Sequence, residues 1–244
     1  MKKFFIPILL SLFLCSCATY YNPVTKKKER TLYSEKDEID LGKAIDRKIR
    51  REFEIIPTPP EIQKIGERVA KSSDRPNLKY TFRIIKGKEI NAFSIPGGFV
   101  YLYTGLLKIT ESEDEIACII GHEIAHICAR DSIHRLQKIL LYSIPSSILF
   151  GSGRYKAIQK SVDMIFTLSM LKHSRSEELR ADRLGVIYAF KAGYNPEGML
   201  KFFRKLKKIK GKENIKLFVF LKDHPDIDER IKNIEETIKN LRKE

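Results

Sequence analysis

The stretch Ser112–Arg130, SEDEIACIIGHEIAHICAR, decides the reading of this 244-residue chain. Ser112 with Glu115 three residues on has the form of a capping box, and Glu113, Asp114 and Glu115 suit the positive end of a helix. Ile116, Ile119, Ile120, Ile124 and Ile127 then recur at spacings of three and four, which predicts a helix with a buried apolar face. His122 and His126 stand one turn apart on the same side of that helix, and Glu123 follows the first of them. Burying two imidazoles and a carboxylate among isoleucines is costly without partners. The H-E-x-x-H spacing supplies a reason: two imidazoles placed to hold one Zn²⁺ per chain, and a carboxylate placed as the catalytic base toward water on that metal. The plainer alternative is a helix with two core histidines and a solvated glutamate.

A hydrolytic zinc centre of this kind needs a third protein ligand. The segment HSRSEELRADRLGVIYAFKAG at 173–193 offers one. Glu178 and Asp182 lie four apart on one face of an expected helix. Read as solvated acids, they pair with Arg175 or Arg183. Read with the histidine helix, Glu178 supplies the missing ligand. Asp182, one turn on, accepts the free N–H of a liganding imidazole and fixes its ring.

Around these two helices the pattern predicts an α+β fold: a mostly helical, zincin-like domain with a small three-stranded sheet next to the H-E-x-x-H helix. Helices are expected at about 35–53 and 60–73, the second introduced by Pro59-Pro60. Strands are expected at 80–85, 90–95 and 99–103, with Pro96-Gly97-Gly98 between the last two and a short helix through Leu106 and Leu107 after them. Residues 131–150 read as helical and then very apolar over 139–150. That segment is either a buried pair of helices closing over the site or a membrane-touching or gating segment too short to span. Further helices are expected over 156–172, from Asn195-Pro196 to about 210, and after His224. No internal repeat is visible.

The chain carries 46 Lys and Arg against 31 Asp and Glu, a net charge of +15. The excess is spread out and forms no nucleic-acid motif. It fits attraction to anionic lipid or an anionic envelope, and equally a Lys/Glu/Ile-rich composition of the heat-adapted kind. Of the four cysteines, Cys118 and Cys128 sit on the central helix about 15 Å apart, too far for a disulfide, and read as small buried hydrophobes.

Lys2 and Lys3 followed by the apolar run Phe4–Leu14 form a targeting segment too short to cross a bilayer, which takes about 20 residues. Leu14-Cys15-Ser16-Cys17 resembles a lipobox with Cys17 as the lipidated residue; the alternative is an ordinary cleaved signal peptide. The expected organisation is therefore 1–16 lipoprotein signal peptide, 17–34 polar tether, and 35–244 metallopeptidase domain. The lipid anchor makes the membrane a partner, and no nucleic acid is expected.

Taken together, HEIAH at 122–126, SRSEELRAD at 174–182, NAFSIPGG at 91–98 and HPDIDER at 224–230, with DLGK at 40–43, resemble the gluzincin zinc metallopeptidases of the BepA, HtpX and CaaX-processing type. The likeness is greatest to their short periplasmic lipoprotein members. The resemblance implies zinc ligation by His122, His126 and Glu178, a catalytic base at Glu123 and orienting support from Asp182. It places Asn91, Ala92, Phe93 and Ser94 on an edge strand where an extended substrate adds as a further strand. It matches His224 to a histidine that serves as a resting-state metal ligand or acts near the reacting atoms. For a donor to the oxyanion, His224 is the candidate and Arg230 a weaker one. The expected function is a membrane-anchored zinc metalloendopeptidase acting on misfolded or misassembled envelope proteins, facing the periplasm from the outer membrane more than the inner, with protein or peptide substrates and other envelope assembly factors as partners. An assembly factor or chaperone using the same groove, and a metal-bearing structural lipoprotein, are the alternatives; neither needs a base at Glu123.

Overall fold

In the computed structural model the described residues are 18–143, 162–164, 167, 173–210 and 227–243. The leader, Cys17, the apolar residues 144–150, nearly all of 156–172 and His224 lie outside them. In chain order the elements are β1 (Ala18–Asn22), β2 (Lys27–Thr31), α1 (Glu35–Glu52), β3 (Ile55–Ile56), α2 (Pro60–Lys71), β4 (Thr81–Ile85), β5 (Ala92–Ile95), β6 (Phe99–Tyr103), α3 (Thr104–Ile109), α4 (Glu113–Ala129), α5 (Asp131–Ser143), α6 (Arg175–Lys191), α7 (Glu197–Lys210) and α8 (Ile227–Leu241).

The three expected strands form a sheet, and the two-residue β3 joins it as a fourth. The order is β3-β4-β6-β5, with β4 parallel to β6 and the other neighbours antiparallel. Side chains alternate across it as a pleated strand requires. Phe82, Ile84, Ala92, Val100 and Leu102 enter one core with α2, α4, α6, α7 and α8. Phe93, Ile95, Phe99, Tyr101 and Tyr103 enter a second core with α1 and α5. The sheet is thus buried on both faces, and its strands read as apolar on both. β5 ends the sheet.

Two expectations are corrected here. Residues 18–34 form no polar tether: β1 and β2 pair as an antiparallel hairpin, and Asn22 and Thr31 are buried against the body of the protein. The hairpin forms because Tyr20, Asn22, Glu29 and Thr31, which share its inner face, all find partners on α4 and α5. The central helix α4 is also buried all round, where a single apolar face was expected: residues 117–129 are buried throughout. Ser112 caps it by accepting the N–H of Glu115. The Glu115 carboxylate turns inward to the Lys205 ammonium at 3.1 Å, so the capping box is half formed.

The helices around α4 come close because glycine permits it. At Gly42 of α1 there is no room for a β-carbon against the Pro96 carbonyl, so the DLGK and NAFSIPGG segments, far apart in the chain, touch. Gly97 and Gly98 adopt φ of +79° and +94°, backbone that favours glycine, and turn β5 back into β6.

Candidate active site

α4 ends abruptly, and its ending builds part of the site. Arg130 takes the left-handed conformation, with φ 56° and ψ 34°. Its side chain holds it there: the guanidinium reaches the Glu38 carboxylate at 2.8 Å and the Tyr33 carbonyl at 2.8 Å, and lies over the Tyr20 ring at 4.3 Å. The reversal brings Asp131, five residues past His126, back onto that ring. His126 Nδ1 lies 2.7 Å from Asp131 Oδ2, and Arg180 donates to the other oxygen of the same carboxylate.

α6 is started by a full capping box, with Ser174 and Glu177 each accepting the other's backbone N–H. That fixes Glu178 in the first turn and Asp182 one turn later, on the side facing α4. The spacing of four on α6 matches the two nitrogens of one imidazole. His122 Nδ1 lies 2.9 Å from Asp182 Oδ1, and His122 Nε2 lies 3.6 Å from Glu178 Oε2. His126 Nε2 is 3.4 Å from Glu178 Oε1, and the two Nε2 atoms are 3.1 Å apart. Three side chains from two helices therefore present ligand atoms to one point, and all three are buried.

Each imidazole has its Nδ1 on a carboxylate, which selects the tautomer with Nδ1–H donating and leaves the Nε2 lone pair facing the common point. Three electron-rich atoms this close are mutually unfavourable without a cation among them. A proton on His126 can also answer that repulsion. Burial works against a charge on His126, but the Asp131 and Glu178 carboxylates outweigh it and push its pKa up to about 10. His122, for which burial wins, is held below the usual histidine range. Burial opposes the charge of Asp131 and Asp182 too, yet His126 and Arg180 at the first, and Arg230 and His122 at the second, keep both below the usual carboxylate range.

Glu123 is buried beside the histidines, and its Oε1 has no hydrogen-bond partner among the described residues. A buried carboxylate oxygen without a donor is costly unless water or a ligand serves it. Two histidines with the right tautomers, a third carboxylate ligand and an unserved carboxylate alongside form a donor set that fits a divalent metal of the zinc type.

Sequence reading missed two members of this assembly and misjudged a third. Asp131 gave no signal, because its reach to His126 depends on the reversal at Arg130. His173 stacks on the His126 ring at 3.8 Å between centroids and forms a second His/Asp group with His126 and Asp131. Arg230 was a weaker candidate for oxyanion donor, behind His224. Instead its fully buried guanidinium is bonded to the Asp182 carboxylate at 2.6 and 2.5 Å and to Glu178 Oε2 at 3.0 Å. Asn91, Ala92, Phe93 and Ser94 lie where expected, at and in the edge strand. Tyr103 donates its N–H to the Asn91 carbonyl, so in this antiparallel register the main-chain groups of Ala92 and Ser94 point away from β6. Ser94 also lines a small cavity with His126, Arg130 and Ile133.

The chain matches the model of Peptidase family M48 over residues 58–238. It is 29% identical over 181 residues to the putative beta-barrel assembly-enhancing protease of Vibrio cholerae, covering 69% of this chain and 37% of that protein. It is 29% identical over 188 residues to the mitochondrial metalloendopeptidase OMA1 of Schizosaccharomyces pombe, covering 74% and 53%. The Escherichia coli K12 beta-barrel assembly-enhancing protease is 25% identical over 181 residues, with 69% and 37% covered. The chain thus spans between about a third and about half of the length of these relatives. The matched segment holds both site helices, their buried orienting carboxylates and Arg230, and on that match the chain belongs to peptidase family M48.

Proposed function

We propose that this chain is a zinc metalloendopeptidase of the cell envelope that cleaves misfolded or misassembled proteins. One observation carries the reading: His122, His126 and Glu178 converge on one point, and Glu123, next to His122 in the chain, has a buried carboxylate oxygen with no hydrogen-bond partner among the described residues. These three residues would hold the metal, one per chain. Zinc, when bound there, supplies a Lewis acid and lowers the pKa of water toward neutrality.

The protein's own groups do the rest. Glu123 takes a proton from the attacking water and returns it to the leaving amine. Asp182 and Asp131 hold the two imidazoles in ring orientation and tautomer. Arg230 contacts Glu178 and Asp182 together and gives the two buried carboxylates a shared counter-charge in a dry site. The outward main-chain groups of Ala92 and Ser94 accept an extended substrate as an added strand, and Asn91 and Phe93 flank them. His224 stays assigned, by the resemblance alone, to the neighbourhood of the reacting atoms.

The names of the bacterial relatives, proteases that enhance beta-barrel assembly, support an envelope setting and assembly-factor partners. The leader and Cys17 support a lipid anchor and, with Ala18 following, a periplasm-facing place on the outer membrane. Among the described residues no helix is long and apolar enough to cross a membrane.

Cleavage of an unfolded substrate such as casein, with and without chelator, tests the reading. Glu123→Gln keeps the shape of the site and loses the base, so turnover should fall by about 10²–10⁴-fold while bound zinc is retained. Wild-type turnover in that variant would remove Glu123 from the mechanism.

A further inference from the structure

The N-terminal hairpin has two unlike faces. On the inner one, Tyr20 lies over Arg130, Asn22 Nδ2 donates to the Ala129 carbonyl at 3.4 Å, Glu29 meets His134 at 3.0 Å, and Thr31 Oγ1 donates to Gln137 at 2.8 Å. Alternation puts Thr19 and Tyr21 on the other face, with their cross-strand partners Arg30 and Lys28. All four are exposed, and the turn adds Lys26, also exposed. Lys27 opens β2 opposite Asn22 and so stands on the inner side of the register, exposed at the hairpin's end. Tyr21 is 56% exposed; with Phe190 it makes up the large exposed hydrophobic side chains among the described residues.

Nothing on this face offsets its charge. Glu29 is the one acid between residues 18 and 34, and its carboxylate is turned inward to Asn22, Thr25 and His134. Lys26, Lys27, Lys28 and Arg30 make no ion pair among the described residues, whereas Lys36, Lys48, Lys86, Lys205 and Lys207 each do. Lys26 even sits at φ 56°, where glycine or asparagine would be less strained, so a cation stands at a backbone position that disfavours it.

We propose that this face docks on the anionic phospholipid headgroups of a bilayer. Three uncompensated cations, Lys26, Lys28 and Arg30, match a negatively charged leaflet, and a tyrosine beside them, apolar in body and polar at its tip, suits the headgroup level. Because the inner face is bonded to the end of α4 and the start of α5, the hairpin carries the whole domain with it. The C-terminal end of the histidine helix then lies one packing layer, on the order of 10 Å, behind the lipid-facing surface. The inference depends neither on acylation of Cys17 nor on peptidase activity.

The chain contains no tryptophan, so Tyr21→Trp in the full chain is a single reporter on the proposed face. Phe190→Trp, in a second full chain, reports attachment through the apolar leader without docking of the hairpin. Each is mixed with phosphatidylcholine vesicles with and without phosphatidylglycerol, and with the same vesicles carrying brominated acyl chains. We expect a blue shift and bromine quenching for Tyr21→Trp that need phosphatidylglycerol and fade with salt. Each of Lys26, Lys28 and Arg30 changed to Gln in that background should lower the docking equilibrium about fivefold. Absence of a phosphatidylglycerol-dependent signal overturns the proposal, as does an equal response from Phe190→Trp or a signal that survives replacement of all three cations in a variant of unchanged thermal midpoint. Adsorption to soluble polyanion without bromine quenching overturns it too, in favour of a polymer-binding face.

Discussion

Gly121 and Gly185 meet where α4 and α6 cross, and neither has room for a side chain. A β-carbon on Gly121 would lie 2.6 Å from the Gly185 carbonyl oxygen, and one on Gly185 would lie 2.6 Å from the His122 nitrogen. The obstacles are backbone, which cannot rotate aside. This contact sets the distance between the helix that carries the histidines and the helix that carries Glu178 and Asp182. The first prediction follows. Gly185→Ala should push the helices apart, lower stability by about 1–3 kcal/mol as overpacked cores do, and release zinc at a lower chelator concentration than wild type. Denaturant midpoint and chelator competition, measured on the same preparation, check it; a variant with unchanged metal retention would show that the crossing does not set the site.

Asp131 is predicted to matter as much as Asp182, although it belongs to neither site helix. It accepts a hydrogen bond from His126 Nδ1–H, and Arg180 holds it in place. Asp131→Asn removes the charge and scrambles the hydrogen-bond polarity at nearly constant volume. Metal affinity should fall about 10–100-fold, the range usual for loss of a carboxylate that orients a liganding imidazole. Isothermal titration of the apo-protein with zinc, wild type against variant, reads this directly.

Arg230 is predicted to be a structural keystone of the centre. With its guanidinium gone, Glu178 and Asp182 are two buried carboxylates left without their shared counter-charge. Arg230→Met should cost about 3–5 kcal/mol, as breaking a buried ion pair does. Arg230→Lys should recover little, because one ammonium cannot reproduce the forked contact with both oxygens of Asp182 and with Glu178. Urea unfolding of the three proteins, with and without zinc, distinguishes this from a role confined to turnover, which would leave the midpoints alone.

Most of the fold was legible because its elements are local and strongly patterned. α1 and α2 fall within two residues of their expected ends; Pro59-Pro60 announces the second, and the structure adds a full capping box at Ser34 to the first. β4, β5 and β6 were legible from alternation and from the Pro-Gly-Gly turn. The His122/His126 pair was legible because spacing along a helix translates directly into a shared face; Glu178, on another helix, came only from the need for a third ligand and from the family resemblance. What stayed hidden depends on contacts distant in sequence. The reversal at Arg130 rests on Glu38 and Tyr33, nearly a hundred residues upstream, so Asp131 could not be seen to return to His126. The hairpin was mistaken for a tether because a polar, lysine-rich segment looks the same whether or not Asn22 and Thr31 find buried partners. Two-residue β3 carries no pattern at all, and the inward turn of Glu115 depends on Lys205 ninety positions away.

The most direct measurement is zinc stoichiometry in Glu178→Ala. The wild-type chain purified in zinc should carry one equivalent after dialysis. Glu178→Ala, folded by circular dichroism, should carry far less, because the third ligand and the partner of Arg230 are lost together. A full equivalent retained in Glu178→Ala after the same dialysis would contradict the convergence of these three side chains on one cation.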